Sequence, residues 1–328
     1  MTEVPGAAVG SAGTVKRVVV IPLSGFVNRL QAMASSAILA EQLGAEFLVC
    51  WQRAPAADVD ANDVLDPEFC INHVITPAQV SAWSGIDVQT MPNGLHHDGP
   101  VLTLAGHDRG EQVFMAEVAA ALTKPTPPTT LVIRAGGKFF LPGHVDEVSF
   151  RMARQRWYRQ APLHPDIVST ARATTSTHPG SLGLHLRYTD RSHQVPTTRR
   201  IQRAVESLVE RTEGHEILIA SDTRSKRDAW ATRLRRLGLD PWFAEHAALD
   251  RSSVAGAHGA LTDFLMLGST SGMVFFSASS FGEEAAVASG AFDTSIGLPA
   301  SPVLTAWSQT RTLVDAAVTY PTRHGWWS

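Results

Sequence analysis

Arg17-Val18-Val19-Val20-Ile21-Pro22-Leu23-Ser24-Gly25-Phe26-Val27-Asn28-Arg29 is the stretch that decides the fold class. Arg17 to Leu23 is a continuous β-branched run, the pattern of a strand buried on both faces of a parallel sheet. It breaks at Ser24–Asn28. Arg29 to Leu43, rich in Ala, Leu, Met and Gln, then reads as a helix that Gly44 ends. Ala45 to Trp51 is a second strand. Strand, loop, helix and strand in that order seed a doubly wound α/β domain.

Working outward, residues 54–130 are less regular. Gly110 to Leu122 reads as a core helix and Lys124-Pro125-Thr126-Pro127-Pro128 as a surface connector. Leu131-Val132-Ile133-Arg134 is a further strand. A second α/β series starts near residue 181, with strands over Leu182–Arg187, Glu216–Ala220, Pro241–Phe243 and Met273–Phe276. Helices are expected over Thr198–Arg211, Lys226–Leu237, Ala260–Leu267 and Ser279–Ser289. The expected organisation is a flexible tail over 1–14, an N-terminal α/β domain over 15–175 and a C-terminal α/β domain over 176–300. The segment 301–328 would pack back on the first domain. Two Rossmann-like α/β domains facing a cleft are the expected architecture.

Composition narrows the function. A chain of 328 residues with 44% hydrophobic and 18% charged residues has the apolar material for real cores and is not a disordered chain. Its formal net charge of −3 argues against a general nucleic-acid binder. Only Lys16, Lys124, Lys138 and Lys226 are lysines among the 28 basic residues, so 24 are arginines. Codon bias accounts for such a ratio; forked binding of phosphate or carboxylate by some of them is the sharper reading. Cys50 and Cys70 form no CxxC pair, which leaves a disulfide framework or zinc site without support. No apolar run approaches the roughly 20 residues of a membrane span, and the first fourteen residues lack the pattern of a signal peptide. A soluble, cytoplasmic protein is expected.

In open α/β sheets ligands bind beyond the carboxyl ends of the strands. Four strand ends carry small, polar or charged residues: Ser24–Arg29, His185–Ser192, Ser221–Thr223 and Ser277–Phe281. Each alone reads as an ordinary capped strand-to-helix loop; the four together favour a phosphate-bearing ligand. His185 and Arg187 are two apart on a strand and share a face. Either Asp190 or another carboxylate pairs with Arg187 internally, or Arg187 forks onto a diphosphate while His185 contacts another part of a nucleotide. Ser277-Ala278-Ser279-Ser280 opens a helix, where free N–H groups and hydroxyls suit an anion.

His185-Leu186-Arg187-Tyr188-Thr189-Asp190 resembles the HxRRTD-type motif of the GDP-fucose fucosyltransferase superfamily. Four further stretches resemble that family in the same order: Gly25-Phe26-Val27-Asn28-Arg29-Leu30, Ile219-Ala220-Ser221-Asp222, Leu261-Thr262-Asp263-Phe264 and Val274 to Phe281. The resemblance implies an inverting, metal-independent GT-B-type transferase that takes a GDP-sugar as donor substrate, needs no cofactor and glycosylates a small-molecule or oligosaccharide acceptor. By the same resemblance Arg187 would bind the β-phosphate, His185 and Asp263 the guanine or its ribose, and Ser279 and Ser280 the phosphates. Gly25, Asn28, Arg29, Tyr188, Asp190, Asp222 and Ser277 complete the donor-side set.

Three positions depart from the family pattern. Val27 stands where the family has Gly, and Tyr188 where it has a second arginine. No carboxylate follows the motif to act as general base. His193 is the nearest titratable group there, a base or simply a solvated loop histidine. Asp222 reads equally as a helix N-cap or structural acid. These departures keep a catalytically inactive nucleotide-sugar-binding protein in view. A dinucleotide oxidoreductase is disfavoured, because Gly25-x-x-Asn28 is not GxGxxG. Leu95-His96-His97-Asp98 and Gly106-His107-Asp108 read as loop polarity rather than a metal site. Arg151 to Arg159 reads as a solvated helix face or as a lip for an acidic or sugar-bearing acceptor.

Overall fold

The computed structural model describes residues 15–85, 87–88, 94–96, 102–103, 129–139, 147–189, 195–250 and 252–299. The tail over 1–14, the helix expected over 110–122, the connector, the Asp190–Gln194 turn, His97, His107 and the segment 301–328 lie outside these residues. The chain divides into two compact units, Met1–Pro165 with Asp250–Ala257 and Asp166–Leu249 with His258–Ser328.

The first unit is built on β1 (Arg17–Pro22), α1 (Phe26–Leu43) and β2 (Glu46–Val49). Three short helices follow, α2 (Ala61–Val64), α3 (Pro67–His73) and α4 (Pro77–Ser84). Then come β3 (Gly94–His96), β4 (Leu102–Thr103), β5 (Thr130–Ala135) and α5 (Glu147–Arg159). The sheet order is β2-β1-β5-β3-β4, with β1 parallel to both neighbours and β3 antiparallel to β5 and β4. Val18 to Ile21 are wholly buried, as a strand covered on both faces requires. The irregular stretch after β2 resolves into capped helices. Asp66 accepts from the amides of Glu68 and Phe69 ahead of α3, and Thr76 and Gln79 form a capping box ahead of α4. α5 turns Phe150, Arg154 and Tyr158 inward and its remaining residues outward or half outward, with the Arg154 guanidinium 4.8 Å over the Phe150 ring.

The second unit comprises α6 (Pro165–Ser176), β6 (Leu182–Leu186), α7 (Thr198–Thr212), β7 (Glu216–Ser221), α8 (Arg224–Arg236) and β8 (Asp240–Trp242). The series continues with α9 (Val254–Leu267), which belongs to this unit from His258 onward, β9 (Met273–Phe276), α10 (Ser280–Ser289) and β10 (Ile296–Leu298). All its strand pairs are parallel, in the order β10-β9-β6-β7-β8. Counted from β6, this is the doubly wound order 3-2-1-4-5, so the chain reverses direction across the sheet between β6 and β9. Beyond the carboxyl ends of β6 and β9, at such a reversal, is where an open α/β sheet binds its ligand. Leu182, Leu184 and Leu186 enter the core with Ile201, Val205 and Leu208 of α7 and Trp230 and Leu234 of α8. A side chain at Gly183 would meet the Met273 Cβ at 2.8 Å and Leu267 Cδ2 at 2.9 Å, so glycine lets β6 and β9 close on each other.

Two helix starts differ from expectation by three residues or more. α1 begins at Phe26 rather than Arg29, since Gly25 takes the extended N-cap conformation and brings Asn28 into the first turn. α9 begins at Val254 rather than Ala260, running through Gly256 and Gly259, residues that oppose a helix on propensity alone.

Candidate functional site

The alternation of β6 sends Leu184 and Leu186 to the core and His185 to the other face. The His185 ring stacks on Phe281 of α10, with centroids 4.8 Å apart and planes 8° from parallel. Phe281 meets Phe264 of α9 edge-on at 5.8 Å. Gly282 allows this packing, because a Cβ there would stand 2.6 Å from the Phe275 Cβ and 2.9 Å from His185 Nδ1. His185 is 6% exposed, and its Nδ1 has no hydrogen-bond partner among the described residues. Burial, reinforced by the Arg187 charge and opposed by Asp222, pushes its pKa down to about 3. The imidazole is therefore neutral at physiological pH and works as a hydrogen-bonding group. Arg187, the next residue on that face, is half-buried at the strand end.

Asp222 directly follows β7 and does not cap α8, whose N-cap is Thr223. Its carboxylate instead accepts from the Tyr188 amide at 2.9 Å, and from the Thr189 amide at 3.1 Å and hydroxyl at 2.7 Å. Thr223 Oγ1 donates a further bond at 3.2 Å. These bonds tie the chain just after Arg187 to the neighbouring strand end. Asp222, expected on the donor, thus spends its lone pairs within the protein. Tyr188 also differs from expectation. The alternation places it opposite Arg187, where its ring packs against the core cluster and its hydroxyl accepts from Trp230 Nε1 at 3.1 Å. Burial raises the pKa of this phenol.

At the end of β9, Ser279 is the N-cap of α10 but makes no cap bond through its side chain. It is 2% exposed, and its Oγ has no hydrogen-bond partner among the described residues. Ser280 opens the helix, whose first-turn N–H groups carry the positive end of the helix dipole. Ser277 is exposed, and its hydroxyl lies toward Gly297 of β10, where a Cβ would come within 2.9 Å. The ends of β6 and β9 thus hold two buried polar atoms, His185 Nδ1 and Ser279 Oγ, that lack hydrogen-bond partners among the described residues. Such atoms are costly unless a ligand or water completes them.

Asp263 lies on α9, one residue before Phe264. His246 Nε2 lies 2.7 Å from its Oδ1, and the two side chains are 10% and 13% exposed. His246 sits in the loop after β8 and was not legible as a site residue, because only the fold brings it to Asp263, 17 positions away. Asp190 and His193 lie outside the described residues. Among the described residues no group of three or more His, Cys, Asp or Glu is placed to hold a metal.

Gly25, Asn28 and Arg29 belong to the first unit. Ser24 adopts φ 65°, a left-handed conformation rare outside glycine, and turns the chain from β1 into α1. Val27 is buried, so the residue that departs from the family's glycine points into the unit's core. Arg29 is fully enclosed, and its Nη2 has no hydrogen-bond partner among the described residues. Its Nε donates to the Ser24 carbonyl at 3.0 Å and its Nη1 to the Gln52 carbonyl at 2.8 Å, with the guanidinium 4.4 Å over the Trp51 ring. Burial lowers its pKa to about 10, which leaves it charged at neutral pH. It staples the carboxyl ends of β1 and β2.

No protein-family model and no curated protein matches the chain. Solved structures do. NodZ α-1,6-fucosyltransferase co-crystallised with GDP aligns at a TM-score of 0.54 and 16% identity, covering 83% of this chain and 92% of that one. NodZ from Bradyrhizobium, as a separate crystal structure, gives the same values. A mutant of Arabidopsis thaliana FUT1 in complex with GDP aligns at a TM-score of 0.55 and 15% identity, covering 86% of this chain and 70% of that one. The chain shares the fold of these fucosyltransferase structures.

Proposed function

We propose that the chain is a glycosyltransferase that moves a sugar, L-fucose in the leading reading, from a GDP-sugar to a hydroxyl of a small-molecule or oligosaccharide acceptor. The observation that carries this is the switch point between β6 and β9. His185 Nδ1 and Ser279 Oγ, both without a hydrogen-bond partner among the described residues, lie at that switch point with the N-terminus of α10, and Arg187 follows β6 there. A diphosphate satisfies that set, with its oxygens on the helix N–H groups and hydroxyls and its charge on the guanidinium. The solved relatives bound to GDP support the choice of base.

In the reaction the acceptor oxygen attacks the sugar C1 as the C1–O bond to the β-phosphate breaks, inverting the centre. The electron pair of that bond leaves on the diphosphate, and the acceptor proton passes to a base. Arg187 stabilises the charge that builds on the leaving group, an electrostatic role that a fixed guanidinium performs in place. His185, neutral and enclosed, orients the nucleotide by hydrogen bonding. Asp222 holds the Tyr188–Thr189 backbone and through it the strand end that carries Arg187. His193 remains the sequence-derived candidate for the base. A second reading, a nucleotide-sugar binder without turnover, is favoured by one observation. The position of the family's second arginine is filled by Tyr188, whose ring is committed to the core.

Incubation with GDP-fucose and a panel of acceptors tests the proposal. Transfer by the wild type, lowered about a hundred- to a thousandfold in Arg187→Ala together with weaker GDP binding, is expected from removing a cation at the developing charge. GDP binding without transfer or donor hydrolysis selects the second reading. Turnover lost with GDP affinity intact contradicts the role given to Arg187.

A further inference from the structure

The ladder that joins β6 to β9 is short. It pairs Gly183 with Met273 and Leu184 with Val274 and then stops, whereas β6 stays paired with β7 as far as Leu186 and Ser221. Arg187 is the first residue past that second ladder, so its backbone position depends on what fixes the residue after it. Tyr188 is fixed through its amide, its hydroxyl and its ring. The amide donates to the two Asp222 carboxylate oxygens at 2.9 and 3.1 Å. The hydroxyl accepts from Nε1 of Trp230, a core residue of α8 that is 4% exposed. The ring meets Phe276, the last residue of β9, edge-on at 6.3 Å, and the Lys226 ammonium stands 5.4 Å over it. Tyr188 thus spans from β6 to β9 beyond the point where their ladder ends, while its amide ties it to the end of β7.

Given the donor reading above, on which the inference rests, we propose that Tyr188 is a positioning residue for Arg187: its ties to Asp222, Trp230 and Phe276 fix the strand end from which Arg187 reaches the leaving diphosphate. Arg187 lies between two held residues, Leu186 in the ladder and Tyr188 in its ties. A guanidinium stabilises developing charge to the degree that it is held in place, and misplacement by about 1 Å is costly. The residue at the family's second arginine therefore acts on the diphosphate through its neighbour, without a charge of its own. An arginine at position 188 could not keep these ties, because a guanidinium in the core cluster without a counter-ion is costly to bury. The strand end would then lose its links to α8 and β9.

Dissociation constants for GDP and GMP, measured calorimetrically on the full chain, test this, because only GDP carries the second phosphate. Arg187→Ala reads the guanidinium's share as a fall in the preference for GDP over GMP. Tyr188→Phe keeps the ring and removes the acceptor for Trp230. It is expected to lower that preference by about threefold or more, from one lost hydrogen bond and a displaced charge. Trp230→Phe removes the donor from the other side and should do the same, which covers the case of a Tyr188 variant that fails to fold. Tyr188→Arg should lower the preference as well. In the Arg187→Ala background Tyr188→Phe should change it by less than about twofold, since nothing remains to be positioned. Three results overturn the proposal: a preference that falls by less than about threefold in the phenylalanine variants, one that falls by about twofold or more in the Arg187→Ala background, or one that rises in Tyr188→Arg. A wild type that binds no guanine nucleotide, or an Arg187→Ala chain with the preference intact, overturns the donor reading as well.

Discussion

Arg29 and Arg187 both follow a strand end, and in sequence both looked like anion binders. Their surroundings separate them. Arg187 sits half-buried at the mouth of β6, whereas Arg29 is sealed against two carbonyls and an indole. The staple assigned to Arg29 predicts that Arg29→Met destabilises the protein by about 3 kcal/mol or more in urea unfolding, since two bonds from a charged donor are lost and two carbonyls are left unpaired. Arg29→Lys should recover less than half, because an ammonium cannot reproduce the fork. A methionine variant as stable as wild type but deficient in GDP binding would restore Arg29 to the donor site. The pairing of His185 with Arg187 on one face was legible, because β alternation is local. The partners of Arg29, Asp222 and Asp263 were not: Gln52, Thr189 and His246 are 23, 33 and 17 positions away, and only the fold brings them together.

The elements were legible to the extent that their signals are local. The β-branched run of β1 and the apolar face of α7 appear where their patterns put them, and Gly44 ends α1 in the left-handed conformation. The stretch after β2 looked irregular because its helices are only 4 to 8 residues long, too short for a period to show. Their caps, Asp60, Asp66 and Thr76, with Pro67 and Pro77 in the first turns, were the signals available. α9 was placed too late because glycines at 256 and 259 argue against helix, yet Gly259 is what admits the His246 ring. Gly282 in α10 has the same character and yields a prediction. Alanine is favoured over glycine in a helix by about 1 kcal/mol, but here its methyl group would press on Phe275 and His185. Overpacking of this kind costs about 1–3 kcal/mol, so Gly282→Ala should lower the melting temperature and weaken GDP binding together. A variant that melts higher with GDP affinity unchanged would contradict the packing described for His185.

At the scale of the whole molecule, doubly wound order explains why the candidate groups of the second unit assemble at all. Residues 185, 187, 279 and 280 come from strand ends far apart in sequence, and the order β10-β9-β6-β7-β8 sets β6 beside β9. A parallel α/β series was readable from alternating strand and helix patterns; the adjacency of β6 and β9 came into view only with the topology. The near-neutral charge of −3 fits one enclosed anion site better than a polyanion surface. The most direct test of that site is a thermal-shift panel of nucleoside diphosphates on wild type and Arg187→Ala. GDP alone is expected to raise the wild-type melting temperature by several degrees, as ligand linkage requires at concentrations far above Kd, and Arg187→Ala to lose most of the shift. UDP or TDP standing out, or a GDP shift that survives in Arg187→Ala, would contradict that expectation.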